Sequence, residues 1–364
     1  MTTKLYALKT IFLFGISSLW SAPQLVEMDQ YMETNLNKIQ AYEQAGDYAK
    51  ALEFARKQNE SPLTIDIAEK ALLNLGYSRL IFDEHFQPRV KLLQLLDIVG
   101  MPPLNPSESA ILQINAWAQK NLLRQGERWQ EQMIQFEKLK SQIKPLLLDL
   151  GFIDATSSQF RDYQGAILHG AILPRVRIRL NYLVEQWKSG VRFSKLYFLS
   201  GARPLVMQHE NKDCLMQDHT SPLKIKKDWK APKEFPKTES EMIQLVWEQS
   251  DIPDDMCRNL EVHFINAPMK KDPKSENLLR PTTDDTIETW LKTAPLQGRY
   301  LAITNAPYTN RQDAVIRTIA PCEYGFDTIG PAADEYEQMA IYLDELARLI
   351  FQTKQFATKN GKIE

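Results

Sequence analysis

Tyr300–Arg317 reads YLAITNAPYTNRQDAVIR. Its apolar run breaks at Asn305, Pro307, Tyr308 and Thr309, and apolar positions return at helical spacing behind Arg311. The pattern predicts a strand, a polar turn and a helix. Open α/β proteins place ligand-binding groups at such a step. The strand's carboxyl end opens into a crevice, and the first N–H groups of the helix lack intrahelical partners. Arg311 sets a fixed positive charge beside those N–H groups, which favours an anionic ligand group.

The same alternation extends on either side. Gly165–His169 precedes Arg175–Lys188, Lys195–Leu199 precedes Glu239–Gln249, and Glu261–Ile265 precedes Asp284–Lys292. Arg299–Thr304 then precedes Asn310–Ile319, and Tyr324–Ile329 precedes Asp334–Gln352. Strand candidates each followed by a helix predict an α/β domain over residues 160–352, with a mainly parallel sheet covered on both faces and right-handed crossovers. Two aperiodic stretches interrupt it, Met207–Lys237 and Ala267–Pro281. Loops of that length are lids, recruitment surfaces or disordered insertions.

Upstream, Leu25–Leu150 carries apolar residues at three- and four-residue spacing, with breaks at Gly46, Pro62, Pro88, Pro102 and Gly126. This predicts an all-α helical domain over 25–150, with Trp117 and Trp129 between helices. Ala45–Pro62, AGDYAKALEFARKQNESP, has the spacing of half a tetratricopeptide unit. It has no second copy, and one unit cannot bury its own face, so it reads as a helical hairpin.

At the N-terminus Lys4 and Lys9 precede Thr10–Trp20, followed by Ser21 and Ala22. That is the layout of a secretory signal peptide over residues 1–22. The apolar run is well short of the ~20 residues that span a bilayer. A permanent transmembrane span is therefore not expected, and export to the periplasm or cell envelope is. A buried amphiphilic first helix and an uncleaved short anchor are the alternatives. The 364 residues carry a formal net charge of −2, which makes nucleic acid an unfavoured partner. Cys214, Cys257 and Cys322 form no C-x-x-C pair; free or buried thiols are the plain reading, and a disulfide between two of them stays open.

If the sheet is parallel, the residues that follow each strand become neighbours. These are His169 and Gly170 with Arg175 and Arg179; Ser200, Gly201 and Arg203; Asn266 with Arg280, Thr283, Asp284 and Asp285; and Asn305, Tyr308 and Arg311. Arginines with small or amide residues and a few carboxylates compose a polar site for an anionic or nucleotide-like small molecule. Plainer roles fit some of them. Thr283, Asp284 and Asp285 suit a helix cap, Glu239 suits a helix N-terminal turn, and Arg175, Arg177 and Arg179 alternate so that any helix sends at least one to solvent. The sequence has no G-x-G-x-x-G after the first strand, no P-loop, no G-x-S-x-G elbow and no H-E-x-x-H, and its five histidines show no metal-ligand spacing, although His209 and His219 share one insertion. No metal site is indicated and no cofactor is identified.

Six segments in order resemble the YdcF, SanA and ElyC family, a bacterial family built on a domain of unknown function. They are AILHGA with RIRL at Arg177–Leu180, FLSGAR at Phe198–Arg203, TESEM at Thr238–Met242, DIP at Asp251–Pro253, PTTDDTIETW at Pro281–Trp290 and ITNAPYTNRQDAV at Ile303–Val315. The resemblance covers roughly residues 164–329. It implies a Rossmann-like three-layer α/β/α sandwich, an association with the bacterial envelope and a ligand of nucleotide type. It departs from the family pattern at Ala202, at Asp285-Thr286 and at Thr309.

Two functions follow as expectations. In the first, Arg203, Arg311, Tyr308, Ser200, Glu239 and Thr283 frame a pocket, with Gly170, Arg175, Gly201 and Asn305 beside them. Glu239 or Asp285 would act as general acid or base in a transfer or hydrolysis reaction on an envelope precursor. In the second, the chain is a non-enzymatic interaction protein that binds a protein partner through its helical domain.

Overall fold

The computed structural model describes residues 75–83, 85–124, 134–217, 221–273, 275–321, 323–359 and 361–363. The signal-peptide reading of 1–22, the hairpin at Ala45–Pro62, the helical reading of 25–74, Trp129, His219 and Cys322 all lie outside them.

The described residues form an α/β fold. Its strands are β1 Gly165–His169, β2 Lys195–Gly201, β3 Glu261–Ala267, β4 Lys270–Lys271, β5 Leu278–Leu279, β6 Gly298–Ile303 and β7 Tyr324–Ile329. β4 and β5 pair as a small antiparallel hairpin inside the second insertion. The other five form a parallel sheet in the order β3-β2-β1-β6-β7. β1 is buried along its whole length because strands flank it on both sides and helices cover both faces, which is why Gly165–Leu168 reads as an apolar run.

Helices α1 Val90–Ile98, α2 Ala110–Asn121 and α3 Lys140–Asp149 precede the sheet, and α4 Leu173–Lys188 follows β1. Short helices α5 Met207–Glu210 and α6 Lys212–Met216 occupy the first insertion. α7 Glu239–Gln249 and α8 Asp254–Asn259 lead into β3. α9 Thr283–Leu291 follows the hairpin, α10 Thr309–Ile319 follows β6, and α11 Met339–Lys359 ends the fold.

Strand side chains alternate between two apolar layers. Ala166, Leu168, Leu196 and Phe198 pack with α4 and α7 on one face. Ile167, Tyr197, Leu199 and Tyr300 pack on the other with Ile287 and Trp290 of α9 and Ile316 of α10. A third core joins α1, α2 and α3 to α11, with Leu92, Leu95, Ile114 and Leu147 in one cluster with Leu343, Leu346 and Ile350. Trp117 packs partly buried against it. Further ties reach β7 and α10: the Tyr77 hydroxyl donates to the Thr328 carbonyl at 2.8 Å, and Asn310 Nδ2 donates to the Leu150 carbonyl at 3.0 Å. The described helices before residue 150 are thus built around the same final helix that bounds the α/β part.

Several boundaries move. β2 runs on to Gly201 and β3 to Ala267, because Ser200 pairs with Asn266 and Gly201 with Ala267 through backbone groups that ignore side-chain polarity. α11 starts at Met339 rather than Asp334, since the polar stretch before it is loop, and it continues to Lys359. The expected solvent-facing arginine on α4 is Arg175, partly exposed, while the other two turn inward. Arg177 is buried and donates to the carbonyls of Cys214 and Leu215, Arg179 is buried, and Arg175 is half-buried, while Ile178 is the exposed neighbour. Unpaired carbonyls at strand and helix ends supply what guanidinium forks need in the interior.

Candidate functional site

The strand order places the crevice between β1 and β6, where the chain reverses its direction of growth across the sheet. Arg179, from α4, spans this point. Its Nη1 donates to the carbonyls of His169 and Gly170 at 2.8 and 2.9 Å, and its Nε donates to Asn305 Oδ1 at 2.8 Å. The guanidinium thereby crosslinks the ends of β1 and β6. Asn305 orients Arg179 and is itself buried beneath the cleft.

Above this lies a cavity of about 780 Å³, within the range of small-molecule sites. It is bounded by the ends of β1 and β2, the start of α4, the turn before α9, the first residues of α10 and one face of α11. Gly170, Arg175, Ser200, Gly201, Arg203 and Thr283 all line it, as do Glu239, Tyr308 and Arg311. Asn305 and Asp285 do not. Asp285 instead closes the first turn of α9. Its Oδ2 accepts from the Thr282 backbone N–H at 2.7 Å, and Lys270 Nζ sits 2.7 Å from the same oxygen. Burial would raise its pKa, but the hydrogen bonds from Lys270 and Thr282 outweigh it and hold the carboxyl below its ordinary range. The helix cap is therefore Thr282 with Asp285, one residue earlier than the sequence suggests.

Two glycines shape the β1–β2 corner. A Cβ on Gly170 would lie 2.6 Å from Glu239 Oε1 and 2.8 Å from the Leu199 carbonyl oxygen, and one on Gly201 would collide with the Pro281 ring. Glycine permits both close approaches.

The arginines differ in what they already hold. Arg203 forms a fork with Glu210, Nη1 to Oε2 and Nη2 to Oε1, both 2.9 Å. Nη1 also donates to the Pro204 carbonyl, Nη2 to the Ala171 carbonyl, and Nε lies 3.2 Å from Glu239 Oε2. Since a guanidinium has five N–H donors, Arg203 is saturated by protein groups. Glu210 also accepts from the backbone N–H groups of Leu173 and Val206, so the insertion folds back as a buried lock. Arg311 donates to Glu345 Oε2 at 2.6 Å and to Thr283 Oγ1 at 3.3 Å. Arg175 lies over the Tyr308 ring at 4.4 Å and pairs with Glu337 at 3.0 Å. Arg348, on α11, pairs with Asp344 at 2.9 Å, and Asp344 also holds the buried Arg124.

Glu239 stands at the first position of α7, behind the Thr238–Glu241 capping box, with its carboxylate turned to the Gly201 N–H and Arg203. Burial raises its pKa; Arg203 opposes the shift and Glu210 adds to it. Ser200 Oγ donates to the Ile265 carbonyl at 3.1 Å. His169 is buried on the cavity wall, and its Nε2 has no hydrogen-bond partner among the described residues. Burial first, then the charges of Arg179 and Arg311, push its pKa down to about 3, so the imidazole is neutral.

Residues of α11 line the cavity without having been singled out in the sequence. Ile341, Arg348 and Gln352 recur at seven- and four-residue spacing, with Phe351 beside them. The available signal was a helix face mixing Asp344, Glu345 and Arg348 with apolar residues. Among the described residues, no group of three or more His, Cys, Asp or Glu is placed to hold a metal ion, and no helix is long and apolar enough to cross a membrane. Cys214 is half-buried and Cys257 exposed, both as free thiols.

Comparison with protein-family models, with curated proteins and with solved structures finds no match to this chain.

Proposed function

We propose that the cleft at the carboxyl edge of the sheet binds an anionic or nucleotide-like small molecule. The observation that carries this is one cavity of about 780 Å³ at the strand-order reversal, whose lining includes Arg175 and Arg348, partly exposed and each held by a carboxylate on one side only. In this reading the fold is a Rossmann-like three-layer sandwich of the YdcF-like kind, and the protein is exported or associated with the bacterial envelope. The order of sequence segments and the N-terminal pattern support those two parts. Glu239 is the residue suited to acid–base chemistry in a transfer or hydrolysis reaction on an envelope precursor, because burial raises its pKa beside the cavity. Asp285 drops out of the catalytic role, since its carboxylate is committed to Thr282 and Lys270.

A second reading is a non-enzymatic interaction protein that uses its helical region to hold a protein partner. The observation favouring it is that Ser200 and Arg203 are engaged by protein groups.

The test is thermal unfolding of the full chain against nucleotides, S-adenosylmethionine, phosphosugars and isoprenoid phosphates. A ligand at ~100 times its dissociation constant adds about 2.7 kcal/mol. Arg175→Gln is the control, because Arg311→Ala would strand the buried Glu345 and destabilise the fold by itself. A shift lost in Arg175→Gln supports the cleft; no shift across the panel favours the interaction protein.

A further inference from the structure

The cavity's arginines are not equivalent donors. Arg203 has all five N–H groups engaged and its side chain is 10 % exposed. Arg179 is buried and joins β1 to β6, and Arg311 holds Glu345 and Thr283. Arg175 and Arg348 are placed differently. Arg175 is 24 % exposed and uses Nη2 on Glu337, and Arg348 is 41 % exposed and uses Nε and Nη2 on Asp344. Each keeps at least Nη1 outside any hydrogen bond among the described residues. Their carboxylate partners fix each guanidinium in place, so little side-chain entropy remains to be lost when an anion arrives.

The wall that carries Arg348 also carries apolar surface. Ile341 and the half-buried Phe351 line the same cavity. Tyr308 is the other aromatic ring there, but it is buried and a face of it is covered by Arg175. Phe351 has Lys354 Nζ 5.8 Å from its ring centroid, a looser cover than Arg175 gives the buried Tyr308, so it is the ring with surface left for a planar ligand group, and aromatic faces accept nucleobases without needing matched hydrogen bonds.

Resting on the reading of the cleft as an anion site, we propose that its ligand is a phosphorylated aromatic molecule of nucleoside monophosphate type. Its phosphate lies between Arg175 and Arg348 and its ring against Phe351 and Ile341 of α11. Arg203 takes no part in ligand contact and maintains the shape of the opposite wall.

The experiment is isothermal titration of the full chain with adenosine 5′-monophosphate, ribose 5-phosphate and adenosine. Adenosine 5′-monophosphate is expected to bind about tenfold or more tightly than either fragment. Phe351→Leu, which keeps apolar volume and removes the ring, should weaken adenosine 5′-monophosphate about tenfold and leave ribose 5-phosphate unchanged. Arg348→Gln should weaken both phosphates alike. If ribose 5-phosphate binds as tightly as the nucleotide and Phe351→Leu changes neither, the aromatic ligand class is wrong while the anion cleft stands. If adenosine binds as tightly as the nucleotide, the phosphate contact is wrong. If none of the three binds, the proposal falls together with the reading beneath it.

Discussion

The two walls of the cleft use the same residue type for opposite ends. On the β2 side, Arg203, Glu210 and Glu239 form a closed network in which one guanidinium meets two carboxylates and two carbonyls. Elsewhere on the lining, Arg175 of α4 and Arg348 of α11 each meet one carboxylate and keep donors in reach of solvent. A row of arginines at a sheet edge is thus no measure of binding capacity. A buried, saturated arginine holds a wall in shape, because removing it leaves carboxylates without compensation. A half-exposed arginine fixed from behind can still receive an anion.

The contrast breaks most visibly in stability. Arg203→Ala strands Glu210, which is buried, and should cost about 3–5 kcal/mol in urea unfolding. A loss within ~1 kcal/mol, the value of surface pairs, would mean that the β2 wall is no lock. Gly170→Ala probes the same wall through packing. The added methyl meets the Leu199 backbone as well as Glu239, so a loss of about 1–3 kcal/mol is expected; an unchanged unfolding midpoint would show that the corner has room.

The floor of the cleft adds a pH signature. His169 stays neutral in the folded protein down to about pH 3, whereas the unfolded chain takes up this proton near 6.5. Its contribution to stability is therefore present above pH ~6.5 and is lost as the pH falls, by up to ~1.4 kcal/mol per unit. His169→Gln should flatten that part of the stability profile between pH 6.5 and 4.5, and an unaltered slope would place the imidazole in a more solvated setting. Smallest of all are Arg175→Gln and Arg348→Gln, each expected to cost less in unfolding than Arg203→Ala while weakening anion binding, since Asp344 keeps Arg124 and Arg175 is itself half-exposed. A large stability loss from either would erase the distinction between the walls.

Much of the fold is legible in the sequence because burial on both faces makes parallel strands run apolar, as in Gly165–Leu168 of β1 and Tyr300–Ile303 of β6. Their ends are less so. Ser200 and Gly201 look like a turn, yet their backbones complete the ladder with β3. Most of the candidate residues gather at one cavity because a parallel sheet brings all its carboxyl ends to one edge, with Asn305 and Asp285 outside its lining. The role of each residue depends on contacts far along the chain. Glu210 lies in an insertion with no periodicity, and only its return to Arg203 reveals the lock. Arg348 reads as one more charge on an amphipathic helix until α11 is seen to form the far wall. Asp285 is the converse: a local capping pattern was visible beside it and proved the stronger signal.

The most direct test of the two-wall account is the ¹H–¹⁵N spectrum of arginine side-chain Nε–Hε groups in the full chain, recorded during titration with adenosine 5′-monophosphate. The account expects the Arg175 and Arg348 resonances to move with ligand while Arg203 stays fixed and slow to exchange its proton with solvent. Movement of Arg203, with Arg175 and Arg348 unchanged, would contradict it and return the ligand to the β2 wall.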